Sequence, residues 1–147
     1  MKVVNVDIIK EVEKLRLKAY LPTKNDVWTI GYGHTDGVVE GQEISEAEAL
    51  EFLKEDLDEV EKGILRYVRV PLTQNQYDAL CSLIFNIGLG NFAKSTVLKL
   101  LNKKDYLGAA NSFLMWTKQK NRRTGVFEVL DGLVIRRKKE RNLFLNG

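Results

Sequence analysis

The sequence predicts an α+β protein that is predominantly helical, with one small sheet near its N-terminus. Two capping boxes point to the helices: Ser45-Glu46-Ala47-Glu48 and Thr73-Gln74-Asn75-Gln76 each precede apolar residues at helical spacing. The sheet is signalled by Val27-Trp28-Thr29-Ile30, a stretch of strand composition between the turn Pro22–Asp26 and the glycines Gly31 and Gly33. At 147 residues, with 44% apolar and 29% charged content, the chain suits one domain with a real core. That composition excludes a disordered or membrane-spanning protein.

The elements follow in order. A first helix starts near Asn5 or Asp7, both N-cap candidates, with Ile8, Ile9, Val12 and Leu15 at helical spacing. Its C-terminal end is expected within Lys14 to Lys18, and Leu17 to His34 reads as a hairpin. Gly31, Gly33, Gly37 and Gly41 keep the following segment loop-rich. The helix opened by Ser45 carries an apolar stripe (Ala49/Leu50, Leu53, Leu57, Val60, Ile64) opposite an acidic face. It is expected to run about twenty residues, roughly 30 Å, long enough to join two lobes. Thr73 opens a helix with Tyr77, Leu80, Leu83 and Ile84 inward, interrupted at Gly88 and Gly90. Further helices follow Ser95 and Asp105, the latter running through Trp116. Gly125 and Gly132 punctuate a polar connection. Val134 to Leu145 forms a last helix anchored by Leu143 and Phe144.

Net charge is +3, but it is unevenly spread. Eight acids face two lysines between Glu46 and Lys62, whereas nine bases face three acids from Lys118 to Arg141. Such a split gives a surface a sign preference for partners, although two solvated helix faces would look the same. The single cysteine, Cys81, lies among apolar residues and reads as a small buried hydrophobe; it excludes an internal disulfide. No run is apolar enough for a signal peptide or a membrane anchor, so a target outside the cytoplasm requires help to be reached.

Glu13 and Thr29 are the residues with chemical promise. An acid at a helix C-terminus sits at the negative end of the dipole, which favours the protonated carboxyl a general acid needs. A hydroxyl sixteen residues later, on a hairpin, can hold a water. That pairing suits glycoside hydrolysis. From position alone, however, Glu13 reads better as a surface glutamate paired with a base, and Glu11 is nearly as good. His34 is the sole histidine; with no cluster of further ligands nearby it reads as a hydrogen-bonding group shaping the hairpin, and no metal is expected. Trp28, Tyr32 and Trp116 suit sugar stacking or the core equally, and Asn86 and Gln74 are candidate saccharide hydrogen-bonding groups.

Several motifs in order resemble the phage-type lysozymes, or endolysins, of glycoside hydrolase family 24. That family reads Glu-Gly-Leu-Arg-Leu-Lys-x-Tyr-x-Asp, a turn, then Thr-Ile-Gly-Tyr-Gly-His. The chain matches at Glu13, Leu15 to Lys18, Tyr20 and Thr29 to Thr35. It matches again at Pro71 to Leu80, Phe85 to Gly88, Phe92, Ser95-Thr96, Leu100 to Asn102, Trp116, Gly132 to Val134 and Arg136-Arg137. The resemblance spans nearly the whole length and reverses the odds on Glu13.

It implies a lysozyme-like fold in which a hairpin lobe of about residues 13–60 is joined by the long helix to a helical lobe of 1–12 and 61–147. Substrate lies in the cleft between them. Glu13 is implied as proton donor and Thr29 as the water-holding threonine, with Tyr20, Tyr32 and His34 supporting the site. Arg136 is implied to approach Glu13 from the C-terminal lobe. Two departures stand out. Lys14 replaces the family's glycine, allowing the helix to run on. The family's aspartate is missing: its place falls on Pro22 or Thr23, depending on the direction of counting. Asp26, the nearest carboxylate, is the candidate base or electrostatic stabiliser, with Thr23 and Thr29 positioning the water if Asp26 is structural. Asp26 is also an ordinary turn residue.

The implied activity is hydrolysis of the β-1,4 bond between N-acetylmuramic acid and N-acetylglucosamine in peptidoglycan, by a monomer without cofactor. It would accumulate in the host bacterial cytoplasm until release to the periplasm and cell wall. Its partner is the glycan strand, with neither nucleic acid nor membrane insertion. Three readings compete. A lytic transglycosylase would use Glu13 without a second carboxylate. A non-catalytic wall-binding protein would not need Glu13, and a nucleic-acid module would rest on the short Arg136–Arg141 run alone.

Overall fold

The computed structural model describes residues 3–22, 26–121 and 123–147. Along the chain lie α1 (Asp7–Val12), β1 (Arg16–Tyr20), β2 (Thr29–Gly31), α2 (Glu46–Tyr67), α3 (Gln74–Ile87), α4 (Leu89–Ala93) and α5 (Thr96–Asn102). Then come α6 (Tyr106–Ser112), a 3-10 turn (Phe113–Met115), β3 (Lys118–Lys120), β4 (Phe127–Val129) and α7 (Asp131–Leu145). The fold is the mostly helical α+β class expected. It divides into two compact units: Val6–Glu59, and the residues up to Asn5 with Val60–Gly147. The division falls within α2, and α1 belongs with the hairpin, whereas the sequence assigned residues 1–12 to the helical side.

In the Val6–Glu59 unit, β1 and β2 pair antiparallel with Arg16 opposite Gly31 and Tyr20 opposite Thr29. The following loop extends this ladder: Ala19 donates to the Gln42 carbonyl (2.8 Å) and Ile44 to that of Leu17 (2.9 Å). These bonds explain why α1 is shorter than expected. The helix ends at Val12, and Glu13 is already extended, at ψ 127°. The expected helical end within Lys14 to Lys18 is replaced by strand, because Leu17 and Ala19 spend their backbone groups on the 42–44 segment. Lys14 therefore does not prolong the helix. Neither Asn5 nor Asp7 caps it: the N-cap is Val6, without a side-chain bond, and Asp7 lies in the first turn.

Ser45 and Glu48 exchange the two capping-box bonds, each 3.1 Å, and open α2. The helix runs 22 residues, about 33 Å. Its inward residues Ala49, Leu53 and Leu57 are buried with Ile9, Ile30 and Ile44. Gly31 is where the hairpin meets this helix. Its φ is +65°, and a Cβ there would stand 3.3 Å from the Ala49 Cβ and 3.4 Å from its Cα. Gly31→Ala combines left-handed strain with pressure on a helix backbone that has little room to yield. It is expected to destabilise the protein by about 1–3 kcal/mol, read as a lowered urea midpoint at unchanged m-value.

In the other unit, the Thr73 capping box forms as expected, and Ser95 and Asp105 cap α5 and α6 through the amides of Leu98 and Gly108. Gly88, at φ +88°, ends α3 and separates it from α4. α3 packs on α7, with Phe92, Val97, Leu101, Phe113 and Phe144 fully buried. The Phe113 and Phe144 rings meet edge to face, 5.6 Å between centroids. α6 stops at Ser112 and tightens into the 3-10 turn before Trp116, and α7 starts at Asp131, three residues before the expected Val134.

The polar connection holds a second hairpin, so the expectation of a single sheet is corrected. β3 and β4 pair with Lys118 opposite Val129, Gln119 opposite Glu128 and Lys120 opposite Phe127. All six residues are exposed, so neither strand shows the buried alternation that identifies strands in sequence. The turn organises the hairpin instead. The Asn121 carboxamide oxygen accepts from the amides of Arg123 (2.9 Å) and Thr124 (3.2 Å), and Gly125 takes φ +74°.

Candidate active site

Glu13 forms the C-cap of α1; its amide donates to the Ile9 carbonyl at 2.8 Å, and the residue is half-buried. Three residues on, Arg16 begins β1, which carries Tyr20 to the position opposite Thr29. Cross-strand partners project from the same face of a ladder, so Tyr20 and Thr29 share one face of the hairpin. Thr29 is 5% exposed, and its hydroxyl donates to the Val27 carbonyl at 3.0 Å, leaving its lone pairs as acceptors. The Arg16 guanidinium lies over the Tyr20 ring, 4.9 Å from its centroid.

The Tyr20 hydroxyl reports on the charges around it. Burial raises its pKa first, and the negative charges of Glu13 and Asp26 raise it further against the opposing Arg16. Two carboxylates of separate segments therefore act on one phenol, which stays protonated at neutral pH. Asp26 accepts the Val27 amide on Oδ1 at 2.9 Å, so it also does the turn work expected of such a residue. Thr23, the other residue at the family's aspartate position, lies outside the described residues.

His34 is held on all sides. Its Nδ1 lies 2.8 Å from Asp56 Oδ2, its ring stacks on Phe52 (4.3 Å, 2° between planes), and its backbone exchanges two 2.9 Å bonds with Ile30. At 7% exposed, it is a hairpin-shaping residue. Tyr32 is 5% exposed and belongs to the core of this unit, leaving no ring face for a sugar. Gly31 and Gly33 both adopt positive φ.

The other candidates sit in the helical unit. Arg136 and Arg137 are buried. Arg136 donates to Glu140 Oε2 (3.1 Å) and to the Ser82 carbonyl (3.0 Å). Arg137 donates to Glu140 Oε1, to the Asn86 side-chain oxygen and to the Trp116 carbonyl, the last at 2.8 Å. Ser82 donates its hydroxyl to Glu140 Oε2. Asn86 is thus tied to Arg137, and Gln74 spends its amide on Val3 and Asp78, giving both structural duties. The sequence reading missed Glu140. Its spacing of four and three residues from the two arginines was the available signal. Among the described residues no group of His, Cys, Asp and Glu is placed to hold a metal ion.

An acid at a helix end, a buried hydroxyl on the adjoining hairpin and a second carboxylate acting on the same phenol together suit proton transfer to a leaving oxygen with a positioned water. Known proteins identify the family. The phage lysozyme family matches residues 10–140. The endolysin of Salmonella phage P22 is 50% identical over 143 residues, covering 94% of this chain and 92% of that endolysin. That of Acyrthosiphon pisum secondary endosymbiont phage 1 is 48% identical over 137 residues, covering 93% and 92%. Among solved structures, the muramidase domain of SpmX from Asticaccaulis excentricus superposes with a TM-score of 0.87 at 38% identity, covering 95% of this chain and 93% of that domain. The chain belongs to the phage lysozyme family and is a glycosidase.

Proposed function

We propose that this glycosidase is a muramidase acting on peptidoglycan, with Glu13 as general acid. Glu13 delivers its proton to the bridging oxygen of the β-1,4 bond between N-acetylmuramic acid and N-acetylglucosamine. The bond from that oxygen to the anomeric carbon breaks, and a water held by Thr29 adds to that carbon. Asp26 accepts the water's proton. This single displacement inverts the anomeric centre, and it calls for carboxyls about 6.5–9.5 Å apart with the water between them. Tyr20 stays a neutral donor beside the two acids.

The observation that carries the reading is the placement of Glu13 at the end of α1, directly before the strand that sets Tyr20 opposite the buried Thr29. The endolysin and muramidase names of the relatives support the wall as substrate. They also support a site of action at the cell wall; no described helix is long and apolar enough to cross a membrane.

The assay is turbidity loss of purified peptidoglycan, with the released sugars identified by mass spectrometry. Asp26→Asn is expected to lose about 10²-fold or more of the rate, as for removal of a general base. Thr29→Ala is expected to lose about 10²-fold through a misplaced water. The products should carry a reducing end. Full activity in Asp26→Asn removes that residue from the mechanism, and an anhydro-sugar product replaces hydrolysis with transglycosylation.

A further inference from the structure

The second hairpin has no part in the chemistry above. Because cross-strand partners share a face and alternate residues share a side, Lys118, Lys120, Phe127 and Val129 lie together on one face, with Gln119 and Glu128 on the other. Phe127 is 65% exposed and Val129 55%. A two-stranded ribbon is marginal in water and gains nothing from apolar side chains held in solvent. Here two such side chains alternate with two ammonium groups, and the lone acid of the pairing points away.

We propose that this face docks the protein on an anionic phospholipid bilayer. Lysines reach phosphate and carboxylate headgroups through long stems, while the phenyl and isopropyl groups between them enter the boundary of the acyl chains. Anionic wall polymers would satisfy the lysines alone and leave the apolar pair in water. A bilayer satisfies both, and charge complementarity therefore selects it. Leaving out the buried Arg136, Arg137 and Glu140, the segment from Lys118 to Arg141 carries seven bases against two acids, so its charge has the matching sign. Such docking is peripheral.

The test is co-sedimentation of the full chain with vesicles of phosphatidylglycerol and phosphatidylcholine, compared with phosphatidylcholine alone and with purified peptidoglycan. Two variants probe the face: Phe127→Ser with Val129→Thr, and Lys118→Gln with Lys120→Gln. The expected result is binding to anionic vesicles that falls at least tenfold in each variant and on raising salt. Cleavage of purified peptidoglycan should stay unchanged in both variants. Because all four side chains are exposed, the lysine pair serves as a check on any folding defect of the apolar pair. Failure to bind anionic vesicles at low salt overturns the proposal, as does undiminished binding by the lysine variant. So does loss of binding to peptidoglycan, rather than to vesicles, in the variants. None of these outcomes touches the assignment of Glu13, which the cleavage assay tests separately.

Discussion

Replacing Glu13 by glutamine is expected to lower peptidoglycan cleavage by about 10²–10⁴-fold while leaving the fold intact. The two side chains have the same shape, but the amide has no proton to give a departing alkoxide. The Glu13 backbone amide donates to the Ile9 carbonyl at 2.8 Å, and that bond survives the change. The side chain keeps its size and its hydrogen-bonding oxygen, so the melting temperature should move little. Rates from turbidity loss, set beside a thermal melt of the same preparation, separate the two effects. A variant that keeps more than about a tenth of the wild-type rate would mean that the acid lies elsewhere, with Glu11 next to test.

Glu140→Ala should act in the opposite way, damaging the fold first. The Glu140 carboxylate is wholly buried, as is Arg137, and Arg136 is 7% exposed. Both carboxylate oxygens are engaged, Oε2 by Arg136 and Ser82 and Oε1 by Arg137. Deleting the carboxylate takes a charge from the centre of a network that spans α3 and α7, and it leaves two guanidinium groups without their shared counter-ion. Removing one partner of such a buried pair costs about 3–5 kcal/mol, a large part of a small domain's total stability. Urea unfolding monitored by far-UV circular dichroism reads this directly. A loss below about 1 kcal/mol would show that the network relaxes by admitting water.

Much of this was legible in sequence, for identifiable reasons. Capping is local chemistry, so Ser45, Thr73, Ser95 and Asp105 announced their helices, and the apolar spacing in α2 and α3 marked their buried sides. The hairpin at β1–β2 was visible because Thr29 to Gly31 is buried throughout and flanked by turn residues. β3 and β4 were not, since exposed Lys-Gln-Lys and Phe-Glu-Val segments carry no periodic burial. The true end of α1 was hidden too: it depends on the loop at Gln42 to Ile44 returning to pair with Leu17 and Ala19, a contact no local pattern encodes. At the site, Glu13 and Thr29 became readable only through the ordered motifs around them. Glu140 escaped notice because a burial that runs against the charge of three neighbouring residues is a tertiary fact.

Cys81 leaves a last consequence. Its thiol is fully enclosed, and burial first, then the nearby Glu61 and Asp78 carboxylates, push its ionisation well above the ordinary thiol range. A sulfur that is neither ionised nor reachable neither oxidises nor exchanges. The thiol of the folded molecule is therefore the same in reducing and oxidising surroundings, and alkylation of this one atom becomes a clock that starts only when the helical unit opens.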